Sequence, residues 1–297
     1  MVRLSMGGES ILAARPVNPR PARDSERSEP RSARDSDLFG HPRPSLDWAG
    51  IVPRQGERMV IVGQTGSGKT SLTTHILQLM PNSPVVIYDT KTEPKFEYLP
   101  NSVITTDESE LAVCVNDPQF DYIIHRPHVD MLAEWRELDE LLYSHYNNLT
   151  NADAYIDELL SFHGTTGQYG HGLVALYTRG RSRGITTIAA TQRPSRVSKF
   201  SLSEAQTAAV FHLNSAGDRK KVSDEVGMPE QANPPPWHFW HWRAGSTGEP
   251  VLYAPAPLLA GIDAGYTDPV EVVTDAGPAP ALDGHVWLGP RKFWTLS

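Results

Sequence analysis

Eight consecutive residues, Gly63-Gln64-Thr65-Gly66-Ser67-Gly68-Lys69-Thr70, place three glycines, a lysine and a hydroxyl in a spacing suited to gripping a polyphosphate. Glycines at 63, 66 and 68 open backbone angles closed to other residues, so successive N–H groups can curl around an anion. A helix beginning near Lys69 would add unsatisfied N–H groups and the positive end of its dipole. On this reading Gly63 through Ser71 cradle the phosphates of ATP. Lys69 reaches the β- and γ-phosphates, and the Thr70 hydroxyl holds Mg²⁺.

Hydrolysis needs a second, acidic site, because Mg²⁺ takes a carboxylate and the attacking water needs a base or an orienting group. Asp89 ends the apolar run Val85–Tyr88, and Asp157-Glu158 end the run 154–156. Only the second place offers adjacent carboxylates. Asp157 is therefore assigned to the metal and Glu158 to water activation, against the plainer reading of an acidic pair at a strand end. Gln192 closes the apolar run 185–190. An amide at a strand tip can sense the γ-phosphate, although a glutamine in such a place is more often structural.

These groups need a scaffold, and the alternation of apolar runs with helical patterns supplies one. Strands are expected at 60–62, 85–88, 122–125, 154–156, 185–190 and 208–212. Helices are expected at 71–80, around a stripe of Met131, Trp135, Leu138 and Leu142, through 173–177, and at 220–226. Runs 238–242 and 251–253 flank Gly245-Ser246-Thr247-Gly248 and predict a terminal hairpin. Strands alternating with helices imply an α/β fold with a mostly parallel sheet covered on both faces.

The chain has 297 residues, a net charge of −8 and one cysteine, Cys114. One cysteine excludes a disulfide framework and a cysteine-based zinc site, which suits a reducing cytoplasm. No apolar run approaches the roughly 20 residues that span a bilayer, so a soluble, cytoplasmic protein is expected. The negative charge argues against a protein that coats nucleic acid electrostatically over its whole surface, but not against contact through a few loops. Residues 1–45 are rich in Arg, Ser, Pro and acidic residues and read as a disordered tail. Residues 46–257 form the expected globular unit, and 258–297 an irregular Pro/Gly/Ala-rich segment.

The loop GQTGSGKT (a Walker A motif), the pair Asp157-Glu158, and the block RGRSRGITTIAATQRPS over residues 179–195 together resemble the motor domain of the FtsK/HerA superfamily. Asp89-Thr90-Lys91 is similar to a D-x-K strand end common there. The resemblance covers residues 58–255. It implies a RecA-like P-loop ATPase acting as a homo-oligomeric ring, commonly a hexamer, on double-stranded DNA. It also implies an arginine lent by one subunit to its neighbour's phosphates, with Arg183 and Arg179 the leading candidates and Arg181 and Arg219 behind them.

With no membrane segment and no room for an N-terminal barrel, the bare motor most resembles the genome-packaging ATPases of tailless, membrane-containing viruses. A DNA-transfer ATPase of a plasmid or integrative element is the near alternative. An ATP-binding assembly module and a kinase are the remaining ones. A capsid vertex or membrane protein would be the docking partner.

Arg193, Arg196 and Lys199 form a short basic stretch that could contact DNA phosphates. The glycine-rich segment 164–170 is a candidate pore loop. His238 and His241 are expected at edge-strand surface positions. Trp237, Trp240 and Trp242 are read as hairpin core or subunit interface rather than base-stacking platforms.

Overall fold

The computed structural model describes residues 45–80, 83–128, 134–164, 168–246 and 249–258, and the backbone of two short strands, His285–Trp287 and Phe293–Thr295. The tail expected over residues 1–45 lies almost wholly outside the described residues. So do Met131, residues 165–167 of the glycine-rich segment, and 247–248 of the hairpin turn.

Nine strands build the central sheet: β1 (Arg58–Val62), β2 (Val85–Tyr88), β3 (Ser102–Thr105), β4 (Tyr122–His125), β5 (Asp153–Ile156), β6 (Thr187–Thr191), β7 (Thr207–Val210), β8 (Phe239–Arg243) and β9 (Val251–Tyr253). Their spatial order is β3-β4-β2-β5-β6-β1-β7-β8-β9. The first seven run parallel, and the hairpin β8-β9 adds to β7 in antiparallel sense. His285–Trp287 and Phe293–Thr295 pair as a separate antiparallel ribbon.

Side chains alternate across a strand, and the sheet uses both faces. On β1, Met59 and Ile61 join one apolar cluster while Val60 and Val62 join the other. The first cluster takes in Leu72, Ile76 and Leu77 of helix α1 (Lys69–Leu79). Opposite it, Leu138, Leu141 and Leu142 of α3 (Trp135–Asn148) cover the other face, with α2 (Glu108–Asn116) contributing Leu111 and Val115. Each buried Leu or Ile contributes about 1.5–3 kcal/mol relative to exposure.

Three short or late helices complete the layer: α4 (His171–Val174), α5 (Lys199–Ser203) and α6 (Ala216–Val226). A π-helical turn, Ala175–Arg179, extends α4. Asp139 of α3 accepts from the backbone N–H groups of Gly172 and Leu173 at 2.8 and 2.9 Å, so α3 caps α4.

The parallel sheet and the hairpin agree with the sequence reading. Strand β3 and helix α2 had no counterpart in it, and α6 begins four residues earlier than expected. The histidine expectation is corrected for His241. Its strand β8 is flanked by β7 and β9, so His241 is buried and its Nε2 lies 2.8 Å from the Thr207 hydroxyl. Burial lowers its pKa to about 4.

Candidate active site

Parallel strands present their C-terminal tips along one edge, and the sheet order decides which tips meet. Strand β6 lies between β1 and β5, with Val62 opposite Thr191 and Ile156 opposite Ala189. The loop after β1, Gln192 after β6 and Asp157-Glu158 after β5 therefore emerge side by side. The sequence separations are large, but the meeting is direct. The Thr65 hydroxyl donates to Gln192 Oε1 at 2.7 Å across 127 residues.

Two of the loop glycines adopt the left-handed conformation, Gly66 at φ 75° and Gly68 at φ 108°. Gly63 does not, and the expectation of special backbone angles is corrected there. A Cβ on Gly63 would lie 2.6 Å from Phe211 Cβ and 2.7 Å from Ser67 Oγ, so crowding requires this glycine. Gly68 caps α1 without a side-chain acceptor, whereas Asp107, Ser198 and Ser215 cap α2, α5 and α6. The first-turn N–H groups of α1 are thus left for an anion.

Lys69 is buried and turns back on its own loop, donating to the carbonyls of Gly63 and Gln64 at 2.7 and 2.9 Å. Burial, and then repulsion from Lys91, lower its pKa to about 8. Ser67 Oγ and Gln64 Oε1 are buried without a hydrogen-bond partner. An open cleft of about 540 Å³ borders the loop at Gly66, Gly68, Lys69, Thr70 and Ser71. A triphosphate in this cleft would meet the lysine and the helix end together.

Asp157 and Glu158 are both largely buried. Lys91 Nζ stands 2.9 Å from Glu158 Oε2 and 3.5 Å from Asp157 Oδ2. Burial acts to lower the Lys91 pKa, but Asp157 and Glu158 outweigh it and hold the ammonium above its usual range. Burial raises the Asp157 carboxyl, with Lys91 opposing. The Tyr155 hydroxyl donates to Asp157 Oδ1 at 3.0 Å and lies 3.4 Å from the Thr73 hydroxyl of α1.

Sequence reasoning assigned no role at the acidic site to Lys91 or Tyr155. Tyr155 was findable, because positions two apart share a strand face. Lys91 reaches the acids through the pairing of Tyr88 with Ile156, which brings the ends of β2 and β5 together.

The competing carboxylate is otherwise engaged. Asp89 is buried and accepts from Arg126 Nε at 3.0 Å and from the N–H groups of Lys91 and Glu93. It holds a turn, leaving Asp157 and Glu158 nearest the lysines. Below them, His163 Nε2 sits 2.9 Å from Ser201 Oγ and its Nδ1 lies 2.7 Å from the carbonyl oxygen of Leu159. This ties the segment after the acidic pair to α5.

Three of the candidate arginines, Arg179, Arg181 and Arg183, lie at the other end of the strands. Arg181 packs on Gly56 just before β1, and the N–H of Ile185, just before β6, donates to the Gly180 carbonyl. A five-residue strand spans roughly 16 Å, so none of the three can serve the loop of its own chain. Arg183 donates to the Tyr146 carbonyl at 2.9 Å and lies 4.2 Å over the Tyr146 ring, with Arg179 over the same ring at 5.1 Å. Arg219 donates to the Leu213 carbonyl at 2.8 Å. Leu213 lines a second cleft of about 370 Å³ with Thr65, Gln192 and Arg193.

In the basic stretch, Arg193 faces Asp218 at 3.9 Å and Lys199 faces Glu225 at 3.3 Å, both acids on α6. Arg196 is exposed. Trp240 is buried and donates from Nε1 to the Ala232 carbonyl, as hairpin core should. Trp237 differs, being 61% exposed beside the phosphate loop.

Neither a protein-family model nor a curated protein sequence matches the chain. Solved structures do resemble it in fold. The genome packaging NTPase B204 from Sulfolobus turreted icosahedral virus 2, in complex with AMP, superposes with a TM-score of 0.54 at 15% identity, over 67% of this chain and 97% of that one. The DNA-packaging ATPase B204 from Sulfolobus turreted icosahedral virus gives 0.52 at 16% identity, over 68% and 99%. VirB4 of Thermoanaerobacter pseudethanolicus gives 0.50 at 11% identity, over 66% and 88%. The architecture is that of the RecA-like P-loop NTPases.

Proposed function

We propose that this chain is an ATP-hydrolysing motor of the FtsK/HerA type that moves double-stranded DNA, specifically by packaging a viral genome into a preformed capsid. One observation carries the reading. The loop Gly63–Thr70, Gln192 and Asp157-Glu158 meet on three adjacent strand tips, with Gln192 bonded directly to the loop. The fold shared with packaging NTPases and the ATQRP sequence at 190–194 support it.

Gly66, Gly68 and the start of α1 bind the phosphates, and Lys69 leaves its loop carbonyls to neutralise them. Thr70 and Asp157 would hold Mg²⁺, which supplies charge neutralisation at the β- and γ-phosphates. Among the described residues no three His, Cys, Asp or Glu side chains cluster into a protein-only metal site. The donor set of one hydroxyl and one carboxylate instead suits a cation shared with substrate phosphates.

Glu158 takes the proton of the attacking water, after Lys91 yields its carboxylate. Gln192, on the loop through Thr65, passes the state of the γ-phosphate site to the segment after β6, Arg193 and the exposed basic stretch. Arg179, Arg181 or Arg183 serves the neighbouring subunit in a ring, since all three stand far from their own loop. A capsid vertex or membrane protein in the host cytoplasm would receive the ring.

Displacement of a triplex-forming strand from linear duplex DNA tests translocation. The protein should release the strand with ATP, and Lys69→Ala and Glu158→Gln should not. Glu158→Gln should retain ATP binding while hydrolysis falls about 100-fold or more. Hydrolysis on DNA without displacement would contradict the motor reading.

A further inference from the structure

The cleft beside the phosphate loop has a second end; neither Asp157 nor Glu158 lines the cleft, and its one acidic lining residue is Glu93, next to Lys95. It runs past Ser71 and Lys95 to Trp237, Pro255, Ala256 and Leu258. Here lies an exposed apolar surface: Trp237 is 61% and Leu258 54% exposed. Tryptophan is rarely left in water without a partner. Its neighbour in the hairpin, Trp240, is 5% exposed.

Trp237 is also held in an unusual backbone state, with φ 61°. For a bulky residue that conformation persists only where the surroundings impose it, and such residues gather at ligand sites. The surroundings are visible. Pro234, Pro235 and Pro236 precede it, the His238 N–H donates to the Pro235 carbonyl at 3.1 Å, and Phe239 is locked against Phe211 and Tyr253. The Trp237 carbonyl oxygen would stand 3.7 Å from a Cβ on Gly68, so this turn abuts the residue that caps α1. The backbone of Trp237 is thereby fixed relative to the phosphate end of the cleft, and its side chain lines that cleft. Lys95, which donates to Ser71 Oγ at 3.3 Å, supplies the polar side between the two ends.

We propose that Trp237 is the platform on which the base of a bound nucleotide stacks, and that it makes this site prefer purine over pyrimidine nucleotides. The proposal rests on the reading that the loop binds a nucleoside triphosphate. Stacking of a base on an aromatic side chain scales with the overlapped ring area, which is greater for a two-ring purine.

Titration calorimetry of the full chain with ATP, UTP and inorganic tripolyphosphate tests it. ATP should bind about 10-fold or more tightly than tripolyphosphate, and more tightly than UTP. Trp237→Ala should weaken ATP about 10-fold and leave tripolyphosphate unchanged, while Trp237→Phe should keep most of the ATP affinity. An ATP affinity untouched by Trp237→Ala overturns the proposal and leaves the phosphate-loop reading standing. Equal weakening of ATP and tripolyphosphate also overturns it, because that is the mark of a merely structural role. If neither ligand binds the unaltered protein, the phosphate-loop reading fails and the platform fails with it.

Discussion

Replacing Lys91 by methionine keeps most of the side chain's bulk and removes a cation that contacts both acidic residues. In the folded protein that cation lies 2.9 Å from Glu158 and 3.5 Å from Asp157, whose side chains are 11% and 6% exposed. Breaking a buried ion pair by deleting one partner costs about 3–5 kcal/mol, because the other charge stays buried and uncompensated. The Lys91 side chain is itself 35% exposed, so water screens part of the interaction and the expected loss at pH 7 falls to about 2 kcal/mol.

The sign with pH follows from Asp157. Burial raises its pKa above 3.8 and Lys91 opposes the rise. In Lys91→Met the opposition is gone and the pKa climbs further. A carboxyl raised in the folded state binds more protons folded than unfolded, so stability falls as pH increases through that range. The deficit of the variant should therefore be small near pH 4.5 and grow toward neutrality. Urea unfolding followed by tryptophan fluorescence between pH 4.5 and 8 measures it. A variant within about 0.5 kcal/mol of the parent at pH 7 would refute the reasoning, as would a deficit that does not change with pH.

Gly63→Ala should destabilise by about 2 kcal/mol or more, because its Cβ would overlap Phe211 Cβ and Ser67 Oγ. Gly66→Ala meets no atom within 4 Å and bears only the strain of φ 75°, about 1 kcal/mol; thermal unfolding should rank the two in that order. Burial lowers His125, His145 and His241 to about 4. The unfolded chain therefore binds more protons between about pH 4 and 6.5, and stability should rise with pH across that window. Asp153, raised by burial to about 6, opposes this, and the net loss from pH 7 to pH 5 should be about 4 kcal/mol by urea titration. Mixing Arg183→Ala with Glu158→Gln subunits should restore part of the lost ATPase rate if Arg183 acts across a subunit boundary. A mixed assembly with no recovery would point to Arg179 or to no arginine finger at all.

The parts of the site that sequence made legible are contiguous ones. Gly63–Thr70 declares itself because its strand, turn and helix start are local, and Asp157-Glu158 because both follow a buried apolar strand. What stayed hidden depends on which strands are neighbours. The bond from Thr65 to Gln192 exists because β6 lies beside β1, and the contact of Lys91 with Glu158 because β2 lies beside β5. No periodicity reports sheet order.

Strand β3 escaped notice because it is an edge strand whose burial alternates, so Ser102–Thr105 lacks the continuous apolar run of its inner neighbours. The placement of Trp237 beside the phosphate loop was hidden for a different reason. Its position relative to Gly68 and its positive φ are set by the turn after three prolines, which sequence marks only as irregular. Arg183 carried no sign of its tether to Tyr146, which comes from the end of α3 folding over the 179–183 segment.

The central claim is that the three strand tips form an ATPase harnessed to duplex DNA. Phosphate release by the purified protein, measured with and without linear double-stranded DNA, tests it most directly. Hydrolysis should rise severalfold with DNA, fall back as salt weakens phosphate contacts, and vanish in Glu158→Gln. A rate indifferent to DNA, or one that survives Glu158→Gln, would contradict it.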